Sequence, residues 1–422
     1  MKKLIILTIL ALSTGIVIGK NQKSCNFEKQ IKEFNYIIGT QTVGAKYKFT
    51  NETNLVETAK AIREMGSNLL KFSMGPRYWW ENYDIPQNQD IKSLTDLAKE
   101  KSMKQVLDMN YKYYQIWTYE FSQYTPEPAG QKKDENQIQF INGLSDYDSV
   151  RCYREVYDFA AHLLKTYSGT GKVFMLGNWE GDWHLRWDYD RNKPANPKTI
   201  EGMTRWFRVR QKAIEDAKRN VPHKNIEMYY YVEVNLSDLA LKGESCLINS
   251  VLPNINPDYV SFSSYTATNP PKNEAEMEKT LTEHLNYIES KMQPKPEIKG
   301  KRLFIGEYGW PEIGFYSNEP AFLPATEVNK RAKWVIKTAL KWGCPYILWW
   351  EMYNNELSKD GKNRGFWLIN DKEEKTPLYY THQNFYKEAH KWVKAFTLKN
   401  NKMPTNIEFM KAASSFKSLS TN

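Results

Sequence analysis

The chain is poor in the residues that build metal centres and disulfide frameworks. Its 422 residues hold 4 cysteines and 6 histidines. Cys25, Cys152, Cys246 and Cys344 lie too far apart for any zinc-binding spacing. Cys152 and Cys344 fall in or beside expected core elements and read as buried thiols. The six histidines (His162, His184, His223, His284, His382 and His390) include no His-x-His pair, and only His184 falls near an expected active loop. The residues therefore call for no catalytic metal and no cofactor. No GxGxxG follows the first apolar run, which argues against a dinucleotide fold. Gly361-Lys362-Asn363-Arg364-Gly365 reads as a turn rather than a phosphate loop. Long blocks of Lys or Arg are lacking although the net charge is +10, so the positive charge reads as solvated helix faces. Nucleic acid is not an expected partner. Beyond the N-terminus no apolar run approaches the ~20 residues that span a bilayer, so no stable membrane insertion is expected.

What is present begins with a leader. Met1-Lys2-Lys3 precedes an apolar stretch from Leu4 to Ile18, with Val17 and Gly19 small enough for a cleavage site. Residues 1–19 read as a signal peptide, which makes the protein secreted, periplasmic or cell-surface. Loss of Lys2 and Lys3 lowers the net charge to +8, which keeps acidic glycans among the partner classes.

Eight short apolar runs follow, beginning near Tyr36, Asn68, Gln105, Val173, Glu227, Tyr259, Leu303 and Tyr346. Such runs, bounded by turn residues, read as buried parallel strands. The gaps are long enough for one helix each. Val156, Phe159, Ala160, Leu163 and Leu164 recur at helical spacing, as do Val328, Ala332, Val335, Ile336, Ala339 and Leu340. Eight strand–helix alternations predict an α/β protein, a (β/α)8 TIM barrel in a single domain over 28–397. Residues 398–422 lose periodicity and read as a C-terminal tail, partly helical near 407–413 or disordered. A monomer is expected.

The two kinds of loop differ. Segments entering strands are short; segments leaving them are long and aromatic. Nine of the 14 tryptophans fall on the leaving side: Trp79, Trp80, Trp117, Trp179, Trp183, Trp187, Trp310, Trp349 and Trp350. Tyr111, Tyr113, Tyr114, Tyr119 and Tyr124 are read with them, after the third run. Aromatic rings with polar tips suit the flat faces of sugars. Acidic residues stand at the same end: Glu180 after the fourth run, Glu307 after the seventh, with Asp108, Glu233 and Glu351 as competitors. Glycosidic cleavage needs one protonated and one ionised carboxyl. Burial and mutual repulsion separate two glutamates in that way.

Phe304-Ile305-Gly306-Glu307-Tyr308-Gly309-Trp310-Pro311 resembles the strand-7 nucleophile motif of the clan A retaining glycoside hydrolases, which include cellulases, mannanases, β-1,3-glucanases and galactanases. Gly177-Asn178-Trp179-Glu180 resembles their strand-4 acid/base motif. Ser263-Ser264-Tyr265 resembles strand 6, and Ile347-Leu348-Trp349-Trp350-Glu351 the end of strand 8. The resemblance implies that Glu307 is the nucleophile and Glu180 the acid/base of a double displacement. It further implies that Tyr265 orients Glu307, that Trp350 stacks under the sugar, and that Trp183, Trp310, Trp79 and Trp80 line neighbouring subsites. Asn178, Tyr308 and Glu233 complete the expected substrate-binding set. The implied partner is a β-linked polysaccharide or oligosaccharide, cut internally. Two departures stand out. Trp179 intervenes between Asn178 and Glu180, where the family has Asn directly before the acid. The strand-2 Arg of the family is missing, with Lys71 or Arg77 to take its place. The rival from another class is a non-catalytic glycan-binding protein on a degenerate barrel.

Overall fold

A computed structural model describes residues 27–76, 78–123, 140–186, 189–314 and 321–421. The leader, Cys25, Arg77, Tyr124 and Trp187 lie outside the described residues. Among the described residues no helix is long and apolar enough to cross a membrane.

Eight parallel strands form a barrel: β1 (Ile38–Thr40), β2 (Leu69–Met74), β3 (Tyr113–Thr118), β4 (Val173–Gly177), β5 (Glu227–Val234), β6 (Tyr259–Ser263), β7 (Leu303–Tyr308) and β8 (Ile347–Trp349). They are hydrogen-bonded in the order β1-β8-β7-β6-β5-β4-β3-β2. The remaining seam, between β1 and β2, is closed by a parallel bridge of Gln41 with Lys71 just past the end of β1. There the Thr42 N–H donates to the Lys71 carbonyl at 3.0 Å. The architecture is the expected (β/α)8 barrel.

Helices follow the strands: α1 (Asn54–Met65), α2 (Lys101–Asp108), α3 (Asp146–Thr166), α4 (Pro197–Asn220), α5 (Glu274–Ser290), α6 (Ala325–Trp342), α7 (Pro377–Asn400) and α8 (Asn406–Ala413). Their ends are written in the sequence. The Ser145 hydroxyl accepts the Asp148 N–H at the start of α3, and Asn196 precedes a proline-led α4. α1 and α6 stop at Gly66 and Gly343, which take φ of 119° and 100° where other residues are disfavoured. The periodic residues of α3 and α6 named above are all buried.

Two expectations fail. The run at Gln105 is not the third strand but part of α2. Met103, Val106 and Leu107 are buried at helical spacing, and the Glu100 carboxylate accepts the N–H groups of Ser102 and Met103. A short apolar run fits either period, and the capping side chain decides for helix. The strand is the aromatic segment Tyr113–Thr118, in register with β4 from Tyr113 opposite Val173. Tyr113, Tyr114 and Trp117 are therefore strand residues rather than members of a loop. Asp108 ends a helix, where it pairs with Lys104 and accepts the Tyr167 hydroxyl at 2.9 Å. The second failure is between β5 and β6. That gap holds only short turns of helix, Ser237–Leu241 and Leu247–Val251, in place of one full helix.

Tyrosines fill the opposite end of the barrel. Tyr113, Tyr259, Phe304 and Tyr346 meet edge to face at centroid separations of 5.6–6.4 Å. α7 runs through residue 397 to Asn400, and α8 follows with a capping box at Thr405 and Glu408. Fully buried Phe409 packs against Phe34, Tyr36 and Trp392. The segment read as a tail thus adds a packed helix to this end of the molecule. Cys152, Cys246 and Cys344 are buried free thiols.

Candidate active site

The carboxyl ends of β4, β5 and β7 bring three glutamates together around Lys71 from the middle of β2. Parallel barrels place their chemistry at this end because the strand-to-helix loops converge there. Glu307 enters from β7. The register skips a residue between the Phe262–Ile305 and Ser263–Glu307 pairs. Such a bulge re-aims the side chain that follows it. Gly306 is the residue skipped. A Cβ built there would lie 1.8 Å from Ser261 Oγ and 2.8 Å from Glu233 Oε2, so only glycine fits.

Lys71, fully buried, points up from β2. Its ammonium donates to Glu233 Oε2 at 2.8 Å, to the Gly306 carbonyl at 3.0 Å and to Glu307 Oε1 at 3.3 Å. The ring of Trp117 lies 4.4 Å from the same nitrogen. The charge is thereby held by two carboxylates, one carbonyl and an aromatic face. The other Glu307 oxygen accepts the Tyr265 hydroxyl at 3.2 Å.

Glu180 follows β4 and opens the short helix Gly181–Leu185. Its Oε2 accepts the Trp183 indole N–H at 2.5 Å and the Asn235 amide at 3.4 Å. Its own backbone N–H donates to Glu233 Oε1 at 3.1 Å. A clamp fixes this loop to the end of β5. The Asp182 N–H donates to Asn235 Oδ1, and the Asp182 carboxylate accepts the N–H groups of Asn235, Leu236 and Leu247.

Burial pushes the Glu180 carboxyl up to about 8, the Glu233 carboxylate adds to the rise, and the Trp183 N–H opposes it. Burial also raises Glu307 well above the ordinary range, with the Lys71 ammonium as the main opposing influence and Glu233 and Glu180 reinforcing the rise. Among the described residues Glu307 has a cation in contact and Glu180 has none. A contacting cation favours the ionised form, so a proton shared between them rests on Glu180. Glu351, the third competing acid, is buried and accepts the Val43 N–H at 2.8 Å. It braces the segment after β1.

The remaining expected residues divide. Trp183 reaches Glu180 directly, and Trp350 lies against Trp117 at 6.0 Å. The Asn178 amide donates to the Trp179 carbonyl at 3.0 Å, and its oxygen accepts the Glu233 N–H at 3.3 Å, so it holds backbone. Glu233 is fully buried and engages Lys71, Ser261 and the Glu180 backbone. Tyr308 and Trp310 are buried and pack on each other edge to face, with Tyr308 also against Trp349. Trp79 is buried, its indole N–H donating to the Pro76 carbonyl, and half-buried Trp80 meets it edge-on at 5.0 Å. His184 accepts or donates to the Tyr119 hydroxyl at 2.7 Å, and burial pushes it down to about 4, a neutral ring. Sequence reasoning passed over Asp182, Asn235, Ser261 and the inward face of Trp117. The one signal for Trp117 was position, and misplacing β3 hid it, whereas Lys71 was expected as a stand-in for the missing strand-2 Arg.

No family model and no curated protein matches the chain. Solved structures do. A GH5_18 protein from Streptomyces cattleya, solved in complex with Manβ1-4GlcNAc, matches at a TM-score of 0.52 and 11% identity over 84% of this chain and 80% of that one. An exo-β-1,4-mannosidase from Opitutaceae bacterium strain TAV5 matches at 0.51 and 10%, over 84% and 60%. A family 39 glycoside hydrolase from Bacteroides cellulosilyticus WH2 matches at 0.49 and 12%, and this chain spans 64% of its length. The likeness of fold rests on the first two. The protein is a (β/α)8 barrel with a buried carboxylate cluster at the mouth.

Proposed function

We propose that the protein is a retaining glycoside hydrolase acting on a β-linked polysaccharide. Glu307 attacks the anomeric carbon, and Glu180 protonates the departing oxygen and then deprotonates the incoming water. The observation that carries this reading is the asymmetry of the two carboxyls. Glu307 is held by an ammonium and a phenol, as an ionised nucleophile needs; Glu180 is buried beside another carboxylate and, among the described residues, touches no cation, as an acid needs. The GH5_18 protein and the mannosidase share the fold; the first was solved with Manβ1-4GlcNAc and the second is an exo-β-1,4-mannosidase. Trp183 and Trp350 beside the cluster suit a pyranose face. The leader at residues 1–19 supports export, and the chain works as a monomer cutting internally.

A polysaccharide panel with product analysis tests the reading. The order of preference is β-glucan, then β-mannan or galactan, with acidic glycans included. We expect cleavage of at least one with the initial product retaining its anomeric configuration by proton NMR. Glu180→Ala and Glu307→Ala each lose activity by roughly 100-fold or more. The rival reading, a glycan-binding protein, draws on the Asn178 amide being tied to backbone. Affinity without turnover in the wild type would establish it.

A further inference from the structure

Glu233 is the one buried carboxylate in the cluster that the reaction leaves without a task. Its surroundings are built. Oε2 accepts both the Lys71 ammonium at 2.8 Å and the Ser261 hydroxyl at 2.6 Å. Oε1 accepts the backbone N–H of Glu180 at 3.1 Å. The backbone N–H of Glu233 is itself held by Asn178, and the missing side chain of Gly306 leaves room for the carboxylate. With 0% exposure it does not reach a substrate. The Lys71 ammonium is equally occupied, since its three donors have three acceptors.

We infer that Glu233 is a positioning residue that couples the two catalytic carboxyls, one oxygen holding Lys71 against Glu307 and the other holding the Glu180 loop. This rests on the proposed roles of Glu180 and Glu307. The physical consequence is a shared charge balance. Glu233 divides the Lys71 charge that would otherwise serve Glu307 alone, and its own negative charge opposes ionisation of Glu180. When Glu307 becomes an ester during the reaction its charge is lost. The Lys71–Glu233 pair is then neutral in sum, which leaves Glu180 free to take up the role of base without a buried ammonium lacking its partner. Among the described residues, the other titratable groups facing the cluster are the phenols of Tyr231 and Tyr265 and, beyond them, the Glu351 and Glu356 carboxyls. Arg210 faces Tyr231 from α4.

Carbon-13 NMR of protein labelled at the glutamate carboxyl carbons tests this without a substrate. Glu180→Gln and Glu307→Gln assign the two signals. In Glu233→Gln, which keeps the side-chain shape and leaves Lys71 paired with Glu307, both midpoints fall by about one pH unit. In Lys71→Met combined with Glu233→Gln, the Glu180 midpoint still falls while that of Glu307 rises above wild type. The double variant supplies the Glu180 reading if the single one does not fold. Midpoints of Glu180 and Glu307 that stay at their wild-type positions in a folded Glu233→Gln protein overturn the inference, as does movement of one alone. A protein that titrates as described but cleaves no glycan refutes the proposed function and leaves the coupling standing. A hydrolase with unmoved midpoints does the reverse.

Discussion

Gly306→Ala puts the geometry of the cluster to a test that needs no activity. The added Cβ would sit 1.8 Å from Ser261 Oγ, far inside contact, and 2.8 Å from Glu233 Oε2. Neither neighbour is a loose chain end. Ser261 is short, fully buried, and bonded to Glu233 at 2.6 Å. Relief requires either turning the hydroxyl away or shifting β7. The first leaves a buried carboxylate short of a donor, worth about 1.5–3 kcal/mol for a bond to a charged group. The second is overpacking, worth about 1–3 kcal/mol. Whichever route the protein takes, the predicted loss is roughly 1–3 kcal/mol. Unfolding entropy for a chain of this length is roughly 0.9 kcal/mol/K, so the melting temperature should fall by about 1–3 °C. Scanning calorimetry reads this. Ser261→Gly removes the obstructing atoms, so the pair of substitutions should be coupled by about 2 kcal/mol, the double variant being no less stable than Gly306→Ala. A single variant within about 0.5 kcal/mol of wild type, or a strictly additive cycle, would refute the packing argument.

Three further outcomes follow from other sites. Trp183→Phe removes the N–H that favours the ionised form of Glu180, so the alkaline limb of kcat/KM moves up from about 8 by roughly half to one pH unit, which a pH–rate profile checks. Glu155 on α3 accepts the N–H groups of Phe121, Ser122 and Leu94, yet burial lifts it to about 7. The stability it contributes while neutral is complete below about 4.5 and lost as pH rises through about 7. Glu155→Gln should therefore gain about 2–3 kcal/mol on wild type between those limits in urea titrations at stepped pH. Among the described residues, buried His382 on α7 finds no partner for either ring nitrogen, and burial pushes it down to about 3. Its stabilising contribution is intact above 6.5 and lost as pH falls. His382→Leu should accordingly gain on wild type by about 2–3 kcal/mol from pH 6.5 to 4.5, seen as a rising difference in melting temperature.

Most of the barrel could be read from the chain because seven of its strands are apolar runs stopped by turn residues, and because Ser145, Asn196, Gly66 and Gly343 mark helix ends locally. β3 escaped because Tyr113–Thr118 is bulky and polar-tipped while the neighbouring Val106–Leu107 run is apolar. The choice between them depends on a tertiary burial that periodicity does not carry. Glu180 and Glu307 were legible as strand-end acids. Tyr265, Trp183, Glu233 and Lys71 were named beside them, but that Lys71 joins Glu307 to Glu233 was not legible. Lys71 serves Glu307 from 236 residues away and Glu233 from 162, and nothing local distinguishes an inward lysine from a surface one. The bulge at Gly306 belongs to the same class, since it is defined by β6 and not by its own neighbours.

The join between the first and last-closed staves of the barrel has a consequence of its own. Lys71 bridges to Gln41 through its main chain and anchors two acids through its side chain. One residue is thus both hinge-pin of the thinnest joint and linchpin of the reactive cluster. A breath that parts this joint withdraws the ammonium from both acids at once, so the molecule would fall silent well before it melts.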